Sequence, residues 1–113
     1  MAPIVKHRIA AGVLVVHEER VLLVRHRREG AYDFWVAPGG GAEPGEDLLA
    51  AARREAREET GIRVEPLRIA YIEDLVSDHI RELKVWFFAR YVAGEPARIA
   101  QLLRLVGGDA ATA

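Results

Sequence analysis

Three glutamates on one short segment, Glu55, Glu58 and Glu59, are the residues of this sequence best suited to do chemistry. At about 100° per residue in a helix, all three project along one side and overlap the edge of an apolar stripe. Arg54, one turn before Glu58, is the arginine placed to neutralise them. One cation is too few for three acids, so the spacing predicts a cluster of carboxylates with excess negative charge.

Carboxylates beside a protein core either raise their pKa or bind a cation. Several oxygen ligands on a rigid helix suit a hard divalent ion, and we expect Mg²⁺ or Mn²⁺. The alternative interpretation is that "RREAREE" is a solvated, ion-paired helix surface. The glycine run Gly39–Gly41 before the helix favours the metal site, because backbone without Cβ atoms can approach a phosphate or a metal closely. This run lacks the spacing of dinucleotide-binding and P-loop sites.

The elements that must position these acids can be predicted from periodicity and from turn residues. Asp47 is a suitable N-cap and Gly61 a suitable C-terminal stop for a helix over Leu48–Thr60. Its apolar stripe toward the core comprises Leu48, Leu49, Ala52 and Ala56. Alternating or continuous apolar runs predict strands at His7–His17, Arg20–Arg27, Phe34–Ala37, Arg63–Ile72 and Glu82–Val92.

The end of the chain carries a second helical pattern. Ile99, Leu102, Leu103 and Val106 follow helical spacing, which predicts a short amphipathic helix over Ile99–Val106. We expect one domain over residues 1–106 and a frayed tail over residues 107–113.

Composition limits the classes of function. The chain has 113 residues, a formal net charge of −1 and no cysteine. This charge offers no general attraction to nucleic acid or to anionic membranes. The amino terminus lacks the apolar core of a signal peptide, and no apolar run is long enough to span a membrane. We therefore expect a cytoplasmic protein that does not bind membranes or nucleic acid in general.

The segment from Gly40 to Ile62 resembles the Nudix box, GX5EX7REUXEEXGU, where U is a bulky aliphatic residue. Gly40, Glu46 and the run from Arg54 to Ile62 match every fixed position of this pattern. The one soft departure is Ala56, which is small where the family usually has a larger aliphatic residue. That difference concerns packing and leaves the chemical groups intact.

The resemblance implies an α/β fold, a Nudix-type α/β/α sandwich around a mixed β-sheet, in which the box forms a loop–helix–loop. It also implies metal-dependent hydrolysis of a diphosphate linkage in a nucleoside diphosphate derivative. Glu55, Glu58, Glu59 and the Gly39 carbonyl match the family's metal ligands. Glu55, Arg54 and Glu58 are the candidate catalytic residues, with Glu46 as the partner that holds Arg54.

Residues outside the box are less constrained by the resemblance. Arg25 and Arg27, together with Gly40 and Gly41, are candidates for binding substrate phosphates, although the two arginines also fit a solvated strand end. An extra metal-binding acid or the general base could come from any of Glu73, Asp74, Asp78, Glu82 and Glu95. Sequence markers of ADP-ribose and dinucleoside polyphosphate subgroups are absent from the region Ser77–Ile80. The nucleotide substrate therefore stays open.

The region after the last predicted strand is short for this family. We expect either the Ile99–Val106 helix or a second copy of the chain, in a homodimer, to cover the apolar surface left exposed. The short region also leaves an alternative function open, in which the domain is a nucleotide-binding or regulatory module that does not catalyse hydrolysis.

Overall fold

A computed structural model describes residues 5–96 and 100–104 of the chain. The described residues form seven strands and one helix, in this order: β1 Lys6–His17, β2 Arg20–Arg28, β3 Tyr32–Val36, β4 Gly39–Gly41, α1 Leu48–Thr60, β5 Arg63–Val76, β6 Ile80–Ala93 and β7 Ala100–Arg104. Within this part of the chain, no helix is both long enough and apolar enough to cross a membrane.

The strands form one mixed sheet in the order β3-β2-β1-β6-β5, with β4 paired to β1 and β7 paired to β2. β1 and β6 are parallel over ten residue pairs, from Lys6 opposite Ile80 to Val15 opposite Ala89. The other pairings, including the long β5–β6 hairpin, are antiparallel. This arrangement confirms the predicted α/β class and the mixed sheet.

The core lies between α1 and one face of the sheet. Val13 and Val15 of β1 and Phe87 of β6 project toward this face, and all three are at most 5% exposed. Ala51, Ala52 and Ala56 of α1 are fully buried against them. Small side chains let the helix approach the sheet closely, so the alanine at the soft position of the box serves tight helix–sheet packing.

The predicted apolar stripe of α1 was wrong at one position. Leu49 is 42% exposed, whereas Ala51 and Ala52, one turn further on, are fully buried. Leu48, its neighbour in the first turn, packs against the core, so Leu49, about 100° further round the helix, faces solvent. The fully buried residues of the helix run from Ala51 to Thr60.

The predicted helix over Ile99–Val106 was also wrong for the residues that the structure describes there. Ala100–Arg104 form strand β7, which pairs antiparallel with β2 from Ala100 opposite Val24 to Arg104 opposite Arg20. A five-residue segment gains more from completing a sheet than from an isolated helix of little more than one turn. The predicted tail, residues 107–113, lies outside the described residues.

Candidate active site

Helix α1 has the predicted bounds because both of its caps form. The Asp47 side chain accepts a hydrogen bond from the Ala50 amide at 2.7 Å, which satisfies one free donor of the first turn. Gly61 adopts a left-handed conformation, with φ of 77°, and its amide donates to the Arg57 carbonyl. These caps and the buried alanines fix both the ends and the rotation of the helix. They direct its acidic side toward strand β4.

Glu55 and Glu59 are brought together on this side and lie against the glycine strand. The amide of Gly39 donates to Glu59 Oε1 at 3.2 Å. A Cβ atom built on Gly40 would lie only 2.7 Å from the carboxyl carbon of Glu55. Strand β4, formed by three glycines, is not among the predicted strands. Its pairing with β1 makes it a rigid floor beneath the two carboxylates.

The electrostatics of Glu59 follow from this crowding. Burial, together with hydrogen bonding and charge repulsion from Glu55, raises the pKa of Glu59 to about 7. The Gly39 amide and the charge of Lys84 act in the opposite direction. The sequence predicted that acids at the core edge would raise their pKa or bind a cation. The raised pKa means that this pocket disfavours a second negative charge unless a cation is added.

Arg54 connects the acids of the site through its guanidinium group. Its Nε and Nη2 donate to the two Glu46 oxygens at 2.8 and 2.9 Å, a bidentate pair. Nη2 also donates to the Gly41 carbonyl at 3.0 Å. Nη1 donates to Glu55 at 3.0 Å and to Glu58 at 3.2 Å. Arg54 is thereby fixed by Glu46 and β4, and it fixes the orientation of Glu55 in turn.

The third predicted metal ligand, Glu58, is more exposed to solvent than Glu55. The Glu58 side chain is 60% exposed and is bonded to Arg54, whereas the Glu55 side chain is 15% exposed. Across the described ranges, no three His, Cys, Asp or Glu side chains are gathered in the arrangement that a metal ion requires. The structure thus assembles a pair of carboxylates, with Glu58 beside them on the same helix. The metal-binding roles of Glu55, Glu58, Glu59 and the Gly39 carbonyl all stay predictions.

The candidate phosphate-binding arginines lie on β2. Arg25 forms a bidentate ion pair with Asp33 of β3, at 2.7 and 2.6 Å, and Arg27 is exposed on the same strand. No ion pair or hydrogen bond within the described residues joins either arginine to the acids of α1. Their proposed role in binding substrate stays a prediction, and Arg25 would have to exchange Asp33 for the phosphate.

Most of the candidate extra acids already have partners. Asp74 is paired with Arg81, Glu82 with Arg8, and Glu73 accepts a hydrogen bond from Trp86 Nε1 at 2.5 Å. Asp78 and Glu95 are exposed. Glu73 lies directly opposite Lys84 in the β5–β6 hairpin.

Sequence reasoning missed Lys84 as a residue of this site. A Cβ atom built on Gly39 would lie 2.9 Å from Lys84 Cε. The Lys84 side chain therefore extends from β6 to the glycine strand beneath Glu55 and Glu59. The available signal was the alternation of Lys84, Trp86 and Phe88 along one face of a strand. That pattern shows a shared face, but the parallel pairing with β1 that brings Lys84 to Gly39 cannot be read from it.

Comparison with known proteins supports one family. The family profile described as NUDIX domain matches residues 6–101. An RNA pyrophosphohydrolase of Caulobacter vibrioides is 47% identical over 58 residues, which are 50% of this chain and 34% of that protein. The mouse 8-oxo-dGDP phosphatase NUDT18 is 29% identical over 86 residues, 76% of this chain and 26% of that protein. The chain therefore spans about a third or less of the length of these curated relatives.

Solved structures show the same fold. A Nudix hydrolase from Nitrosomonas europaea aligns with a TM-score of 0.77 at 24% identity, covering 93% of this chain and 77% of that one. A MutT protein from Methanosarcina mazei Go1 aligns with a TM-score of 0.75 at 24% identity, covering 91% and 83%. Both comparisons agree with the profile match, which extends over most of the chain, and with the box on α1. The chain belongs to the Nudix family.

Proposed function

We propose that this protein is a metal-dependent pyrophosphohydrolase that cleaves a diphosphate linkage in a nucleoside diphosphate derivative. The observation that carries the proposal is the contact between Glu55 and Glu59 above the glycines of β4. Two carboxylates kept together at the edge of a core are unfavourable unless a cation joins them. The relatives named RNA pyrophosphohydrolase and 8-oxo-dGDP phosphatase support a nucleotide-type substrate.

The side chains present fit a hard divalent cation, Mg²⁺ or Mn²⁺. All ligand atoms are oxygens, and burial together with the neighbouring Glu55 raises the pKa of Glu59, so a bound cation would stabilise its charged form. Glu55 and Glu59 would hold the ion, with Glu58 and the Gly39 carbonyl as further ligands. When bound, the ion would supply charge neutralisation at the phosphate oxygens and would lower the pKa of a water molecule.

The protein's own groups have distinct tasks in this proposal. Glu55 accepts the proton of the attacking water, and Arg54 holds the Glu55 carboxylate in the orientation that this transfer needs. Glu46 and the Gly41 carbonyl keep the Arg54 guanidinium from rotating. Gly40 leaves the space that the Glu55 carboxylate occupies, and its backbone can approach a substrate phosphate.

A substrate panel tests the proposal directly. Purified protein is incubated with nucleoside triphosphates, 8-oxo-dGDP, ADP-ribose, dinucleoside polyphosphates and 5′-triphosphorylated RNA, with Mg²⁺, with Mn²⁺ and with a chelator. We expect release of phosphate, pyrophosphate or a nucleoside monophosphate that depends on the metal. Nucleotide binding without turnover of any compound would favour the alternative, a regulatory module that binds nucleotides.

A homodimer in the cytoplasm is part of the proposal. β5 lies at one edge of the sheet, and an edge strand offers unpaired backbone groups to a second copy. It also carries apolar side chains that are 48% to 70% exposed: Leu67, Ile69, Ile72, Leu75 and Val76. Fractionation of cells that express the tagged chain tests the location, and the mass in solution tests the dimer.

A further inference from the structure

Lys84 lies where three parts of the site meet. It is half-buried on β6, and its Cε packs against Gly39 of the glycine floor. Its Nζ lies 4.3 Å from the centroid of the Trp86 ring. Its charge also reaches Glu59, whose pKa it lowers. The ammonium group is therefore placed beside the acidic pair, on the sheet side of the glycine strand.

No carboxylate of the described residues forms a direct ion pair with this ammonium group, although its charge acts on Glu59. Glu73 lies directly opposite Lys84 in the β5–β6 hairpin, but its carboxylate is bonded to Trp86 Nε1 at 2.5 Å. Among residues 5–96 and 100–104, no acidic oxygen lies within ion-pair distance of Lys84, although most arginines nearby are paired. A half-buried ammonium group that acts on Glu59 only at longer range keeps its direct donor positions open, and an anion that binds there would gain a charge-assisted hydrogen bond.

We propose that Lys84 binds the diphosphate group of the substrate from the sheet side, opposite the carboxylates of α1. This inference rests on the proposed function, since it assigns a partner to the same substrate. An anion above Gly39 and Gly40 would lie between the acidic pair with its cation and the Lys84 ammonium. Two positive centres would then hold one diphosphate, a common arrangement for phosphoryl groups. Lys84 is therefore a substrate-positioning residue.

A purely structural role for Lys84 makes a different prediction. If the lysine only covered Trp86 by its stem and a cation–π contact, its loss would lower stability and leave the affinity for diphosphate unchanged. Lys84→Met keeps the aliphatic stem and removes the charge, whereas Lys84→Arg keeps a cation that can also bind phosphate. Lys6, the other lysine of the sequence, provides the control Lys6→Met.

Methylenediphosphonate, a diphosphate analogue that cannot be hydrolysed, is the probe. Its dissociation constant is measured by calorimetry in Mg²⁺ for the four proteins. Trp86 fluorescence in a Trp35→Phe background reports the same binding, because the chain has two tryptophans. We expect Lys84→Met to weaken binding about tenfold or more, as for a lost charged hydrogen bond. Lys84→Arg should retain binding within about threefold, and Lys6→Met should match the wild type.

An unchanged dissociation constant in Lys84→Met, or no binding of the probe to the wild-type protein, would overturn the inference. The measurement does not need turnover, so a protein that hydrolyses nothing in the substrate panel would still give an answer about Lys84. Conversely, normal hydrolysis with an unchanged dissociation constant in Lys84→Met would leave the proposed function standing and reject the lysine. In an active protein, we expect the same variant to raise KM more than it lowers kcat.

Discussion

The carboxylates of Glu55 and Glu59 lie one turn apart on α1, near enough that Glu55 raises the pKa of Glu59, and each also meets a glycine of β4. Neighbouring like charges on a helix destabilise it. The caps stabilise α1 at its ends and the buried alanines stabilise it along the face that the acids adjoin, so the helix tolerates this repulsion. The contact is the feature from which the proposed chemistry follows.

Replacement of either acid by glutamine should separate activity from stability. We expect Glu55→Gln and Glu59→Gln each to lower kcat by about 10²-fold or more, since each removes a charge from the reacting region. Metal-free Glu59→Gln should melt a few degrees above the wild type because the repulsion is gone, whereas Glu55→Gln should gain less because it also loses its ion pair with Arg54. Kinetics and thermal melts in a chelator measure the two effects. Exposed Glu29→Gln is the matched control, and full activity in both site variants would refute the assignment.

Gly40→Ala tests the floor of the site. The new Cβ would collide with the end of the flexible Glu55 side chain at 2.7 Å, so the carboxylate must move while the backbone stays. We expect a large fall in kcat with little change in stability.

Gly45→Ala is the matched control for this substitution. Gly45 has φ of +80° and no atoms near its Cβ position, so alanine there should cost about 1 kcal/mol of stability through backbone strain and should leave kcat unchanged. Denaturant unfolding and steady-state kinetics on both variants give the comparison. The opposite pattern, in which Gly45→Ala is inactive and Gly40→Ala is active, would contradict the geometry.

The Arg54–Glu46 pair should contribute stability that depends on pH. Bidentate hydrogen bonding from Arg54, supported by the Glu43 amide, lowers the pKa of Glu46 to about 2 from its ordinary value of 4.5. A carboxylate with a lowered pKa stabilises the folded state above its unfolded pKa, and that contribution is lost as the pH falls from about 4.5 toward 2. Urea unfolding between pH 7 and pH 3 measures it.

In Glu46→Gln we expect lower stability at pH 7 and a shallower loss on acidification than in the wild type. Glu43→Gln is the control, because the Glu43 side chain is 66% exposed and lies 3.8 Å from Arg54. Parallel stability curves for the wild type and Glu46→Gln would show that the pair makes no such contribution.

A charged substitution on the exposed face of β5 tests the proposed dimer. Light scattering should give twice the chain mass of 12.5 kDa for the wild type. Ile72→Glu places a charge among the exposed apolar side chains of β5 and should yield a folded monomer. Val16→Glu, at a similarly exposed position of β1, should remain a dimer. A wild-type mass of one chain at all concentrations would rule the dimer out.

The part of the fold that the sequence predicts well is local. Asp47, Gly61 and the helix-forming residues between them fix α1 through contacts within the helix and its caps. The contact of Arg54 with Glu58 follows from helical spacing alone. The tight turn between β1 and β2 was likewise indicated by its polar residues, and Glu18 and Glu19 both adopt positive φ there.

The parts that the sequence does not predict depend on distant partners. Ala100–Arg104 lie in a segment with helical spacing, but pairing with β2 makes them a strand. Strand length changed for the same reason, since β5 extends to Val76 opposite Arg81. In the site, the acids of the box can be named from the sequence. The position of Lys84 and the hydrogen bond from Trp86 to Glu73 depend on how the strands pair, which the sequence does not give.

The parallel pairing of β1 with β6 also has a consequence for biosynthesis. Lys6 and Ile80 are register partners although most of the chain separates them, so the ribosome completes α1 well before the sheet beneath it can close. Until β6 is synthesised, the nascent protein has helix α1 with its acids but lacks Lys84. It also lacks the buried strand that covers the apolar face of the helix. A chain interrupted before residue 80 should be captured by chaperones and should not bind nucleotide.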